Sequence, residues 1–297
     1  MHVLITGGTG LIGAALCQSL ALKDAKLTVL TRDIQKAKHL LPINGVHFIE
    51  QLAQIKPDDQ FDVVVNLAGA PIAKSWTQDY QLTIQHSRIA LTQSLVKALG
   101  TLTTPPKVFV SGSAIGFYGP QGNDELSESG AFNPSFSHTL CQAWEEAANE
   151  ATRLGIRVVN LRTGVVLSKK GGALAKMRLL FSLGLGGPVG SGEQWMSWVH
   201  HDDIVNIIQF CIQEEIQGPV NATAPNPVTN KTFAQTYGKV LHRPAILPMP
   251  AWFLRLVMGQ MAEELLLTGQ RVVPSKLIDA GFLFAYPELQ GALTKTG

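Results

Sequence analysis

The chain is poor in the features that mark an exported, disulfide-held or nucleic-acid-binding protein. Its cysteines, Cys17, Cys141 and Cys211, are few, odd in number and far apart, which fits neither a disulfide framework nor a zinc site. Buried free thiols in a reducing compartment, by default the cytoplasm, are expected instead. Charge is sparse too. The 24 Lys and Arg and 22 Asp and Glu are scattered, leaving a net charge of +2 and no field suited to nucleic acid or an acidic membrane. The start "MHVLITGG" runs directly into a strand and glycine turn, without a basic segment followed by a signal-type apolar stretch, so export is not expected. Long apolar runs are also missing. The most apolar late stretch, "AWFLRLVMGQMAEELLL", is interrupted by Arg255, Gln260, Glu263 and Glu264 and falls short of the roughly 20 clean residues a membrane span needs. Read as one helix ending at Gly269, it has a polar face that mixes acid with base, which argues against a membrane-surface helix.

What is present describes a folded α/β chain. Hydrophobic residues make up 45%, with 28 Gly and 16 Pro, and 297 residues suffice for one large domain or two lobes. The runs "HVLIT", "KLTVLT", "VHFIE", "FDVVVNLA", "PKVFVSGS" and "IRVVNLRTG" alternate with helical patterns, which predicts βαβ units and a doubly wound parallel sheet covered on both faces. After Arg162 the rhythm changes to glycine-rich and Pro-studded stretches. The expected organisation is a main domain over residues 1–165, rejoined by 200–224, with a smaller lobe from 166–199 and 225–297.

"TGGTGLIG" places Gly7, Gly10 and Gly13 between a strand and a helix, with Thr9, Leu11 and Ile12 in the same turn. Side chains at Gly7 or Gly10 would block the approach of a pyrophosphate to backbone N–H groups, and Gly13 lets the helix pack close. The second strand ends in Thr31 and Arg32, and a guanidinium there pairs with a 2′-phosphate, which favours NADP(H) over NAD(H). The counter-reading makes Asp33 the ribose acid. "NLAGA", with Asn66, Leu67, Ala68 and Gly69, offers a small-residue strand end against which adenine and ribose could lie.

In this order, "TGGTGLIG", "NLAGA", "VSGSAIGFYG", "LRTGVVL" and "WVHHDD" resemble the extended short-chain dehydrogenase/reductase superfamily. Longer stretches, among them "SWTQDYQLTIQHSRIALTQSLV", "LGLGGPVGSGEQWMSWVHHDDI" and "EELLLTGQRVVPSKLIDAGFLFAYPELQGAL", are similar to its atypical epimerase family with a C-terminal domain of unknown function. The resemblance implies a Rossmann-like sheet of about seven parallel strands, NADP(H) at their carboxyl ends and a C-terminal lobe for an unknown small-molecule substrate. It does not hand over a reaction, because such families are named by analogy of fold. It carries Thr31, Arg32, Asn66, Leu67 and Arg88 over as cofactor contacts, with Ser111 and Arg162 completing the set. It also suggests a homodimer face on the helices near 77–99 and 136–154. In "CQAWEEAANEA", Trp144 reads as a core anchor and Glu145 as a surface or interface acid.

The superfamily's catalytic pair, Tyr-x-x-x-Lys, is absent. The four tyrosines, Tyr80, Tyr118, Tyr237 and Tyr286, are followed four residues later by Ile84, Gly122, Leu241 and Gln290. About 25 residues beyond Ser113, the candidate for polarising a substrate oxygen with Ser111 as its competitor, the pair's positions hold His138 and Gln142. His138 suits proton transfer at neutral pH but has no charged partner one turn on, and its bland reading is a histidine near a helix start. Tyr118 is a third candidate proton donor, with ordinary packing as its alternative. Gln194, Trp198 and His200, with neighbouring Trp195 and Met196, are candidates for a substrate pocket wall. His200, His201, Asp202 and Asp203 are adjacent and cannot all face one ion, so no metal site is expected, and Asp202 or Asp203 reads as a helix N-cap. Two functions remain open: an NADP(H)-dependent oxidoreductase, with epimerisation by transient oxidation as a variant, and a non-catalytic NADP(H)-binding redox sensor.

Overall fold

The structure, a computed structural model, describes residues 1–296. Its main sheet uses β1 (His2–Thr6), β2 (Lys26–Leu30), β3 (His47–Ile49), β4 (Val63–Asn66) and β5 (Val108–Ala114). After the two-residue β6 (Glu125–Leu126) come β7 (Arg157–Thr163), β8 (Val165–Leu167), β9 (Trp195–Met196), β10 (Trp198–His200) and β11 (Gly218–Ala222). The last strands are β12 (Val228–Thr229) and β13 (Arg271–Val272). Seven of them pair in parallel in the order β11-β7-β5-β4-β1-β2-β3. The order reverses at β1, and the crevice beyond the carboxyl ends there is where open α/β sheets bind ligands.

The central strands are continuous apolar runs because helices cover both faces. On one face α1 (Leu11–Ala21) and α7 (His201–Gln213) bring Leu16, Cys17, Ile204 and Cys211 onto Val3, Ile5 and Val29. On the other, α4 (Leu91–Leu99) and α5 (Phe136–Asn149) bring Leu95, Leu99 and Ala148 onto Leu4, Val64 and Phe109. The remaining helix of the first half that borders the cleft, α3 (Gln78–Gln85), runs into α4 through a wide π turn at His86–Ala90, while α2 (Ile34–Leu40) follows β2. All three cysteines are free and buried. Burial pushes each thiol up to about 12, which leaves them inert.

The second lobe has its own core of Phe181, Trp198, Phe233, Tyr237, Leu289 and Leu293. It is built by α6 (Gly172–Ser182), α8 (Asn230–Val240) and the C-terminal α12 (Leu289–Thr296). Two readings of this half are corrected. The apolar stretch is not one helix to Gly269: α9 (Ala251–Met258) stops at Gly259, whose φ of 57° and ψ of −136° break the spiral before α10 (Gln260–Ala262) and a π turn at Glu263–Leu267. Gly269 is needed for a different reason, since a Cβ there would lie 2.0 Å from the Trp195 carbonyl. Neither aspartate caps α7. The cap is His200, whose Nδ1 accepts from the Asp202 N–H at 3.1 Å. Asp203 instead accepts from the Ala285 and Tyr286 N–H groups at 2.8 and 3.0 Å, pinning the C-terminal segment to α7 beyond α11 (Ser275–Asp279).

Candidate active site

The nucleotide end of the crevice is shaped by backbone approach. Gly7 has a φ of 70°, and a Cβ on it would come within 2.6 Å of the Leu67 carbonyl group. A Cβ on Gly13 would sit 2.2 Å from the Gly7 carbonyl, so α1 starts directly against the turn. The first N–H groups of α1, around Leu11 and Ile12, have no side-chain cap, and the turn residues Thr9 and Gly10 are half-buried and exposed. Such an end suits a phosphate. At the tip of β2, Arg32 is exposed and has no partner among the described residues. Asp33 is committed elsewhere: it is the N-cap of α2, accepting from the Lys36 N–H at 2.9 Å, while Thr31 receives the Asp33 N–H.

Asn66 and Ser111 turn out to be ties between strands rather than groups facing a ligand. Thr6 Oγ1 donates to Asn66 Oδ1 at 2.6 Å, and Asn66 Nδ2 donates to Thr92 Oγ1 at 2.8 Å and to Ser111 Oγ at 3.3 Å, all of them buried. The network locks β1, β4 and β5 in register, and it leaves Leu67, Ala68 and Gly69 to border the crevice. Arg88 sits in the π turn and reaches back under that edge. Its Nη2 donates to the Ala70 carbonyl at 3.0 Å, Gly69 lies against its guanidinium, and the Trp144 ring is 5.3 Å away. Burial lowers its pKa.

The β5–β7 end holds a group that the sequence reading misassigned. The register sets Ser113 opposite Arg162. Glu145 on α5 is buried and forms a two-pronged pair with Arg162, at 2.8 Å to Nε and 2.9 Å to Nη2. Ser113 Oγ donates to the same carboxylate at 2.7 Å. Glu145 is therefore no surface acid. A signal was available: it falls on the buried stripe of Cys141, Trp144 and Ala148, where an acid needs an internal partner. Arg162 also donates from Nη1 to Tyr118 Oη and the Glu128 carbonyl, each at 3.1 Å, and its guanidinium packs 3.4 Å from the Phe117 ring centre. With its donors taken up inside the protein, Arg162 is a scaffold for Glu145 and not a cofactor contact.

Tyr118 is corrected likewise. Fully buried, its hydroxyl receives Arg162 and donates to Asn221 Oδ1 at 2.7 Å, and burial raises its pKa. His138 is buried at the start of α5, its Nδ1 on the Phe117 carbonyl and its ring stacked on Phe132 with centroids 4.1 Å apart. Gln142 points outward to Glu146. His138 and Gln142 thus do not act as a pair. Ser113 is the one of the three catalytic candidates bonded to a carboxylate.

The pocket trio does not converge. Trp198 is fully buried in the lobe core with Nε1 donating to the Asn226 carbonyl, so it lines no pocket. His200 is buried as the α7 cap, against Tyr286 at 3.9 Å, and burial lowers its pKa. Gln194 is half-buried, donating to the Val189 and Leu266 carbonyls with Oε1 unpartnered among the described residues, and it braces the loop.

A seven-stranded parallel sheet, a glycine turn opening onto α1 and a serine at the end of β5 define a Rossmann-type protein of the short-chain dehydrogenase class. Within that class the chain belongs to the NAD dependent epimerase/dehydratase family, which matches residues 3–223, and residues 249–296 match a domain of unknown function, DUF1731. The chain is 40% identical over 296 residues to an epimerase family protein of Staphylococcus saprophyticus, covering 98% of each. It is 38% identical over 292 residues to one of Staphylococcus aureus strain MRSA252, covering 98% of this chain and 97% of that protein. The crystal structure of human epimerase family protein SDR39U1 (isoform 2) with NADPH superposes with a TM-score of 0.89 at 35% identity, covering 100% and 99% of the two chains. No helix among the described residues is long and apolar enough to cross a membrane.

Proposed function

We propose that this protein binds NADP(H) and uses it for oxidation, reduction or epimerisation by transient oxidation of a small-molecule substrate. The observation that carries the first part is Arg32, exposed and unpartnered at the tip of β2 while Asp33 is committed to its helix. One carboxylate oxygen of Asp33 is thus turned to the helix, while a cation for a 2′-phosphate stands beside it. The human relative crystallised with NADPH supports the same choice. Gly7, Gly10 and Gly13, with the N–H groups of Leu11 and Ile12, would hold the pyrophosphate.

When bound, the nicotinamide supplies hydride exchange. The chain's own residues handle the proton: Ser113 takes the proton of a substrate hydroxyl as its own passes along the 2.7 Å hydrogen bond to Glu145, and the reverse sequence returns it. Arg162 keeps Glu145 oriented. A binding-only reading is favoured by one observation, that Tyr118 and His138 are both held by internal partners.

Titration of the protein with NADPH and with NADH, followed by protein-to-nicotinamide energy transfer, tests the cofactor. NADPH should bind more tightly, and Arg32→Ala should remove that preference, a loss of about 10–100-fold for a charge-assisted contact. Equal affinities in the unmodified protein would sink the proposal. Ser113→Ala, assayed by NADPH oxidation over a panel of carbonyl compounds, should abolish turnover without weakening NADPH. Intact NADPH binding with no turnover on any carbonyl would leave the binding-only reading.

A further inference from the structure

We propose that the second lobe carries a surface that docks on an anionic phospholipid bilayer. Many of the exposed apolar side chains of this lobe follow one path, with Ile278 and Leu283 lying off it. Residues 186–190 run beside 247–249, joined by Leu247 N–H to the Gly186 carbonyl, Met249 N–H to Pro188 and Gly190 N–H to Met249. This ribbon connects the end of α6 with the start of α9. Along it Leu179, Leu183, Ile246, Trp252 and Leu256 are 67%, 63%, 76%, 67% and 78% exposed. Single exposed leucines are ordinary, but a linked series of this kind marks an interaction surface.

The charge around this path is mostly basic, with Glu193 and Glu263 as its acids. There is no aspartate or glutamate between residues 151 and 192, or between 216 and 262. Arg178, Lys239 and Arg243, near the end of α6 and the turn that follows α8, are exposed, and none pairs with a carboxylate among the described residues. The acids that seemed to exclude a membrane-surface helix belong to a different element. Past the break at Gly259, Glu263 pairs with Arg255 at 2.7 Å, and Glu264 turns inward to accept the Ser137 N–H and hydroxyl at the start of α5. On α9 itself Arg255 is the only charge.

Two copies of such a face would set cation against cation, which disfavours self-association. An anionic bilayer complements it. Side chains as exposed as Leu256 and Ile246 stand out from the surface rather than line a groove, and a tryptophan beside them suits the headgroup boundary, with lysines and arginines reaching lipid phosphates.

The test is co-sedimentation of the whole protein with vesicles of phosphatidylcholine alone and of equal parts phosphatidylcholine and phosphatidylglycerol. Binding should be at least about tenfold stronger to the anionic vesicles and should fall with added salt. The double variant Trp252→Ser, Leu256→Ser should lose it, and Arg178→Glu with Lys239→Glu should weaken it, with melting temperatures near that of the parent because all four side chains are exposed. Failure to bind anionic vesicles overturns the proposal, as does vesicle binding that neither variant changes. A concentration-dependent dimer or a protein complex that Trp252→Ser dissolves, without vesicle binding, would identify a protein interface and overturn it too.

Discussion

The two ends of the crevice treat their polar groups in opposite ways. At the β1–β2 end, Arg32 has no partner among the described residues and the first N–H groups of α1 have no side-chain cap. At the β5–β7 end, Ser113, Glu145, Arg162, Tyr118 and Asn221 bond to one another out of water. A group that binds a phosphate must be free to receive it, whereas groups that guide a proton must be fixed beforehand. A buried carboxylate held by Arg162 sits one hydrogen bond from Ser113, and in the proposed reaction it would anchor the proton from beneath the serine instead of beside it.

The comparison breaks most forcefully at Arg162. Replacing it with methionine leaves the Glu145 carboxylate buried without its cation, and loss of one member of a buried pair costs about 3–5 kcal/mol. Urea denaturation should register that loss. Adding Glu145→Gln to the same chain should recover much of it, because the orphaned charge is gone. A double variant as unstable as the single one would show that packing against Phe117, not charge, holds this end together.

At the open end the expected effect is smaller and geometric. Gly13→Ala drives a Cβ against the Gly7 carbonyl and the Gly8 Cα at 2.2 and 2.8 Å, both of them backbone, so the turn must shift. About 1–3 kcal/mol of stability should be lost, and NADPH affinity should fall with it. Gly291→Ala, in α12 with no atom within 4 Å of the added carbon, sharpens the comparison: it should stabilise by a few tenths to about 1 kcal/mol and leave NADPH binding alone. Thermal melts with and without NADPH read both effects.

The open end was legible in the sequence because its signals are local. Glycine spacing, the strand before it and Arg32 at a strand tip lie within 32 residues of the start. The closed end was not, since Ser113, Glu145 and Arg162 lie on three elements that meet only when β5 and β7 pair beneath α5. Trp198 looked like a pocket wall because a tryptophan in a glycine-rich stretch has no periodicity to assign it to a core. The break at Gly259 was hidden for the converse reason: apolar residues continue through it, and only its backbone angles divide α9 from the acids that follow.

The last comparison concerns His200, which shows the closed arrangement extending into the second lobe. Its neutral Nδ1 accepts from Asp202, its Nε2 has no partner among the described residues, and a proton on Nδ1 removes the cap of α7. Burial lowers its pKa below 6.5, an effect only partly opposed by Asp202 and reinforced by His201. The unfolded chain therefore takes up this proton before the folded one. Stability from His200 is complete above about pH 6.5 and is lost as pH falls through the lower folded value. The loss should be about 0.5–2 kcal/mol, that of a helix cap. His200→Asn keeps a capping oxygen that does not titrate, so its curve of stability against pH should be flatter over this window, even if a gap beside Tyr286 lowers the whole curve. His2, whose pKa burial also lowers, contributes acid sensitivity to both proteins, so the difference between the two slopes is the quantity to compare. Parallel curves would mean that the α7 cap does not titrate and that the acid response begins at the amino end of β1, near His2.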